Sequence, residues 1–170
     1  PVPWKHVYRP SRLRLPAGTA FRVNDTDLAQ ANPLDQAGVH EADYRRMLTA
    51  WYGSISHVDR QVGRLMATLT SRGRTNNVFA ITAGRGAYMG YRGLVHTEPG
   101  PLYEPVVRVP MIIGGISGQR RGTTDSALVS TGDLVPTLLE VAFADLPPVA
   151  GGRSLMAQLR EDGVPHRRAM

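Results

Sequence analysis

The sequence contains no cysteine. That excludes disulfides, thiolate-held zinc and any unmodified cysteine nucleophile. Lysine is nearly absent too: Lys5 is the only one among 20 basic residues. Aromatic residues are sparse at 6%. No apolar run approaches the roughly 18 to 20 residues that a membrane span needs. No apolar core of a signal peptide is visible in the stretch from Pro1 to Arg14, so the default expectation is a cytoplasmic chain. The first residue is Pro1 rather than Met, which fits an expectation that an upstream part is missing.

What is present is an ordinary globular composition. The chain has 170 residues, 42% hydrophobic and 20% charged. This suits one domain or a large piece of one, with enough apolar mass for a core and too much for wholesale disorder. The net charge of +6 raises the question of nucleic acid. The arginines are scattered, however, with only the short doublets Arg45-Arg46, Arg120-Arg121 and Arg167-Arg168. None is interleaved with stacking aromatics. No nucleic-acid or membrane partner is expected.

Along the chain, residues 1–39 are rich in Pro, Arg, Asn and Asp without sustained period and read as an extended arm. Such an arm needs a surface to lie on. Residues 41–72 hold the clearest pattern: Leu48, Trp51, Ile55, Val58, Val62, Leu65 and Leu69 recur in steps of three and four. This predicts one long amphipathic helix with Gly73 as its stop. Residues 77–82 read as a buried strand and 83–105 as a long loop of the functional kind. Val106 to Ile113 read as a second strand with a bulge or edge at Pro110. A short strand is expected at Ser126–Val129, a helix from Asp133 to Phe143 with Pro136 in its first turn, and a short helix at Leu155–Leu159. The organisation is then an arm over 1–39, an α/β segment over 40–160 and a frayed tail over 161–170.

Several segments together resemble the sulfatases of the alkaline-phosphatase-like superfamily. The long helix carries Tyr52-Gly53-Ser54-Ile55-Ser56-His57-Val58-Asp59-Arg60-Gln61-Val62-Gly63-Arg64-Leu65. Val78 to Thr82, Gly90 to His96, Pro101 to Ile113, Ala127 to Leu139 and Gly151-Gly152-Arg153-Ser154-Leu155 follow in the family's order. Pro10 and Leu13 to Pro16 match the arm. The resemblance implies a partial alkaline-phosphatase-like sandwich: a mixed sheet with flanking helices, its N-terminal half missing. It also implies a sulfuric ester hydrolase ancestry, acting on sulfate or phosphate esters. The family uses a formylglycine nucleophile and a calcium ion held by two early Asp residues and a later Asp-His or Asp-Asn pair. Hard carboxylate oxygens suit calcium, and the cation neutralises charge on the transferring group.

The resemblance places the nucleophile and the early Asp pair upstream of this sequence. The later metal pair belongs directly after the strand, where the chain reads Thr82-Ala83-Gly84-Arg85-Gly86. Gly84 stands where the Asp belongs and Arg85 where His or Asn belongs. Neither side chain offers an acceptor. Thr97 occupies the place of a sulfate-holding Lys, and His96 is the remaining candidate catalytic group. No cofactor is therefore expected for this chain. Arg85 could replace the metal's positive charge and hold an anion, with Gly84 and Gly86 supplying amide donors. The plainer reading is a site that has drifted out of use.

Other signals carry less. Gly84-x-Gly86 lacks the third glycine of a dinucleotide loop, since position 89 is Met89. Pro10-Ser11-Arg12 follows Tyr8, which cannot become formylglycine. His57, Asp59 and Arg60 read as structural residues of the helix, and Ser54, Ser56 and Ser130 lack a nucleophile-elbow context. Two readings follow: a sulfatase-family piece that is inactive alone, or a non-enzymatic module that binds an anion or a protein. The uncovered apolar faces predict marginal stability, self-association or need of the missing half.

Overall fold

A computed structural model describes residues 7–20, 40–95, 101–145, 147 and 151–167. Its longest element is helix α1, Glu41–Ser71. Glu41 and Asp43 sit in the first turn, where negative charge favours the exposed amides of a helix start. Gly73 takes φ 67° just beyond the last turn. The Arg74 amide then bonds the Leu69 carbonyl at 2.9 Å and the Gly73 amide bonds that of Thr70 at 3.0 Å. These two bonds form the left-handed stop that glycine makes cheaply.

The chain divides into two compact units. The first holds α1, the arm, and the segment from Arg85 to Val109. The described part of the arm, residues 7–20, is held against α1. Arg45 donates to the Leu13 carbonyl at 2.7 Å, and the Tyr8 hydroxyl meets that of Ser56 at 2.7 Å. Of the predicted apolar stripe only Leu48 is fully buried, joined by Tyr44 on the same face. The small core is Tyr88, Leu94 and Val106, flanked by Tyr91 and Tyr103. The residues around Val106 are a single helical turn, α2 (Glu104–Val107), and not the predicted strand. Pro105 in the first turn favours that helical start.

The second unit holds strands β1 (Phe79–Thr82) and β2 (Met111–Gly114), paired antiparallel with Ala80 opposite Ile113 and Ile81 opposite Ile112. Among the described residues the sheet is this pair, where a mixed sheet was expected. β2 begins immediately after Pro110, because proline brings no N–H to a ladder. Ser126–Val129 form no strand. Helix α3 is Leu134–Val141 and helix α4 is Met156–Arg160. No helix among the described residues is long and apolar enough to cross a membrane.

Candidate functional site

The loop after β1 was expected to carry the chemistry. Gly84 and Arg85 are both exposed there. The space around Gly84 is open, with nothing within 4 Å of where a Cβ would stand. Gly86 is different. Its amide donates to the Val106 carbonyl at 2.7 Å, and a Cβ there would overlap the Pro105 carbonyl oxygen. The Gly86 amide is thus committed to the fold, which corrects its expected part in an anion-binding nest. His96 and Thr97 lie outside the described residues.

The loop continues through a tight double turn. Met89 and Arg92 both take positive φ, at 47° and 53°. Non-glycine residues adopt that region at a cost and persist there only when neighbours hold them. The holders are visible. The Tyr44 hydroxyl donates to the Met89 carbonyl, and the buried Tyr44 phenol has its pKa raised, chiefly by desolvation. The Arg92 guanidinium lies 5.1 Å from the Tyr103 ring centre and donates to its hydroxyl at 3.0 Å. The Tyr88 hydroxyl donates to the Pro101 carbonyl at 2.6 Å. These contacts shape the loop without gathering acidic or imidazole groups: among the described residues no three His, Asp or Glu side chains cluster as metal ligands.

A second polar centre was not anticipated. Asp133 is wholly buried at the start of α3. Its carboxylate accepts from the Ser130 amide at 2.8 Å and the Arg153 amide at 2.8 Å. His166 Nε2 lies 3.1 Å away, and Arg167 forms an ion pair with the other oxygen. Burial by itself raises a carboxyl pKa, but here the four donors outweigh it and hold the group at about 2. The Thr137 hydroxyl extends the network, donating to the Asp133 carbonyl at 2.5 Å and accepting from the Leu155 amide at 2.9 Å. Within the tail expected to fray, the described residues 161–167 include two, His166 and Arg167, that bond Asp133. The clue in the sequence was Ser130-x-x-Asp133, a helix-start pattern with reciprocal bonds. The separation of 33 residues between Asp133 and His166 leaves no local signal.

Comparison with known proteins identifies the class first. The chain overlays a phosphonate monoester hydrolase from Silicibacter pomeroyi with a TM-score of 0.78, at 23% identity. The match covers 94% of this chain and 34% of the other. It also overlays a 2-O GAG sulfatase with a TM-score of 0.74 at 25% identity, covering 91% of this chain and 36% of that one. The fold is thus an α/β part of the alkaline-phosphatase-like architecture. The sulfatase family model matches residues 6–144, and the chain belongs to the sulfatase family. An arylsulfatase from Clostridium perfringens is 31% identical over 127 residues, spanning 72% of this chain and 26% of the relative. An N-acetylglucosamine-6-O-sulfatase from Bacteroides thetaiotaomicron is 28% identical over 121 residues, spanning 71% of this chain and 21% of the relative. The chain therefore spans about a quarter or less of the length of these relatives.

The residue types that the resemblance sets at the family's later metal position do not suit a calcium ion. Glycine at 84 supplies no side-chain oxygen, and arginine at 85 brings a fixed positive charge with no lone pair to donate. A cation next to a divalent ion is repelled rather than bound.

Proposed function

We propose that the chain is the later portion of a sulfatase-family ester hydrolase domain and that it does not turn over esters by itself. The observation that carries this reading is the pair Gly84 and Arg85 directly after β1, where the family resemblance calls for carboxylate and imidazole or amide ligands. The absence of cysteine, and so of a cysteine-derived nucleophile, supports it. Without a nucleophile or a cation the transferring group has nothing to attack it and nothing to neutralise its charge. What remains is scaffold. The test is hydrolysis of an aryl sulfate and an aryl phosphate by the purified chain, with and without millimolar calcium. The expected result is no turnover above the buffer blank. Calcium-dependent turnover would overturn the proposal.

A second reading rests on Arg85 alone. An arginine where the family resemblance calls for a metal ligand brings a fixed cation of the kind that pairs with tetrahedral anions. In this reading the chain is a non-enzymatic module that binds sulfate or phosphate. Calorimetric titration with sodium sulfate separates the two readings. Millimolar binding that disappears in Arg85→Ala supports anion capture, and no heat at millimolar anion ends it.

A further inference from the structure

The segment over 164–167 is held across Asp133 by polar groups. Val164 is half-buried and Pro165 is exposed, so apolar burial adds little to the contact. His166 Nε2 lies 3.1 Å from one Asp133 oxygen, and Arg167 forms an ion pair with the other. The Arg153 guanidinium donates to the His166 carbonyl at 3.2 Å. The Gln158 side-chain amide reaches the Val164 and Pro165 carbonyls at 3.5 Å, too long for a strong hydrogen bond.

The contact is built to open. Two buried atoms within it, Gln158 Oε1 and Arg167 Nε, have no partner among the described residues. A stranded buried polar atom counts against the closed state. Gly163 takes φ 68° at the base of the segment, with nothing within 4 Å of where a Cβ would stand. A glycine in open space can absorb a hinge rotation. Asp133, for its part, does not rely on the segment for every donor. When the segment leaves, one oxygen keeps the Ser130 amide and the other keeps the Arg153 amide. The helix start beneath stays capped in either state.

We propose that residues 164–167 are a reversible ionic strap. It swings on Gly163, opens while the rest of its unit stays folded, and uncovers Gln158 and the outer side of the Asp133 carboxylate. Such an opening is an equilibrium separate from unfolding.

The absence of cysteine supplies the test. The full chain receives one thiol, either under the strap (Gln158→Cys) or at a buried site that makes none of the strap's bonds (Ile116→Cys). Reaction with an aromatic disulfide reagent is then timed. The Gln158→Cys thiol should react roughly a hundredfold slower than a free thiol, yet roughly tenfold or more faster than the Ile116→Cys thiol. Adding Arg167→Ala should speed the first about tenfold and leave the second within about twofold, and Arg167→Lys should recover part of the loss. The unsubstituted chain gives an independent reading by NMR. Relative to intrinsic rates, the Arg167 Nε–H should exchange with water roughly tenfold or more faster than the Leu155 amide, which bonds Thr137 inside the fold. Equal rates at the two thiols, moved together by Arg167→Ala, make the segment part of the folding unit and overturn the strap. A Gln158→Cys thiol as reactive as a free one, with an unprotected Arg167 Nε–H, means that the segment never closes and overturns it as well. A rate indifferent to Arg167→Ala removes the ion pair as the fastening and does the same.

Discussion

Asp133 ties distant parts of the chain together. It joins Ser130, Arg153, His166 and Arg167 through one buried carboxylate. Its folded pKa of about 2 lies below the ordinary 3.8. A depressed carboxyl stabilises the fold above the unfolded value and loses that contribution as pH falls through the folded one. About 2 kcal/mol of stability should therefore fade between about pH 4 and pH 2. Asp133→Asn should flatten that part of the stability–pH curve, read by denaturant titration at successive pH values. Asp133→Ala should cost about 3 kcal/mol or more at neutral pH, because it strands buried donors. Gly152 belongs to the same centre: it takes φ 99°, and a Cβ there would overlap the Gly132 carbonyl oxygen. Gly86→Ala is a parallel case in the other unit. With backbone rather than a flexible side chain in the way, its melting temperature should fall by several degrees.

At the scale of elements, α1 was readable because its signals are local. Period, acidic first turn and terminal glycine all lie within the segment they define. Gly73→Ala should cost about 1 kcal/mol, since alanine resists the φ of 67° that closes the helix. A thermal melt of the two proteins measures it. The segment from Val106 to Ile113 was not readable in the same way. Its apolar run suggested one strand, yet Pro105 starts a helical turn and Pro110 delays the ladder to Met111. Two prolines five residues apart overrode β propensity, and periodicity cannot arbitrate runs that short. Ser126–Val129 had β-compatible residues but found no neighbouring edge to pair with among the described residues.

For the whole molecule, the main feature is what each unit must do with little. A two-stranded antiparallel sheet is marginal by itself in water. Among the described residues of the other unit the buried apolar side chains are few: Tyr44, Leu48, Tyr88, Leu94 and Val106. Weak stability of the isolated chain follows, with a broad near-ultraviolet circular dichroism melt. Millimolar calcium should leave that melt unmoved, because an ion with no site in the folded state cannot shift the folding equilibrium. A melt raised by several degrees would place a cation site elsewhere in the chain.

The sequence by itself determined the long helix and its stop, the strand after it and the family resemblance. Each of these depends on residue identity or on spacing within a few turns of chain. Only the tertiary structure decided which part of the α1 stripe is covered, that the Gly86 amide bonds Val106, and that Asp133 anchors His166 and Arg167. Those outcomes depend on groups 20 or more residues apart competing for the same burial and the same donors. A buried carboxylate takes whichever donors the fold brings to it, and no local pattern names donors that arrive from the far end of the chain.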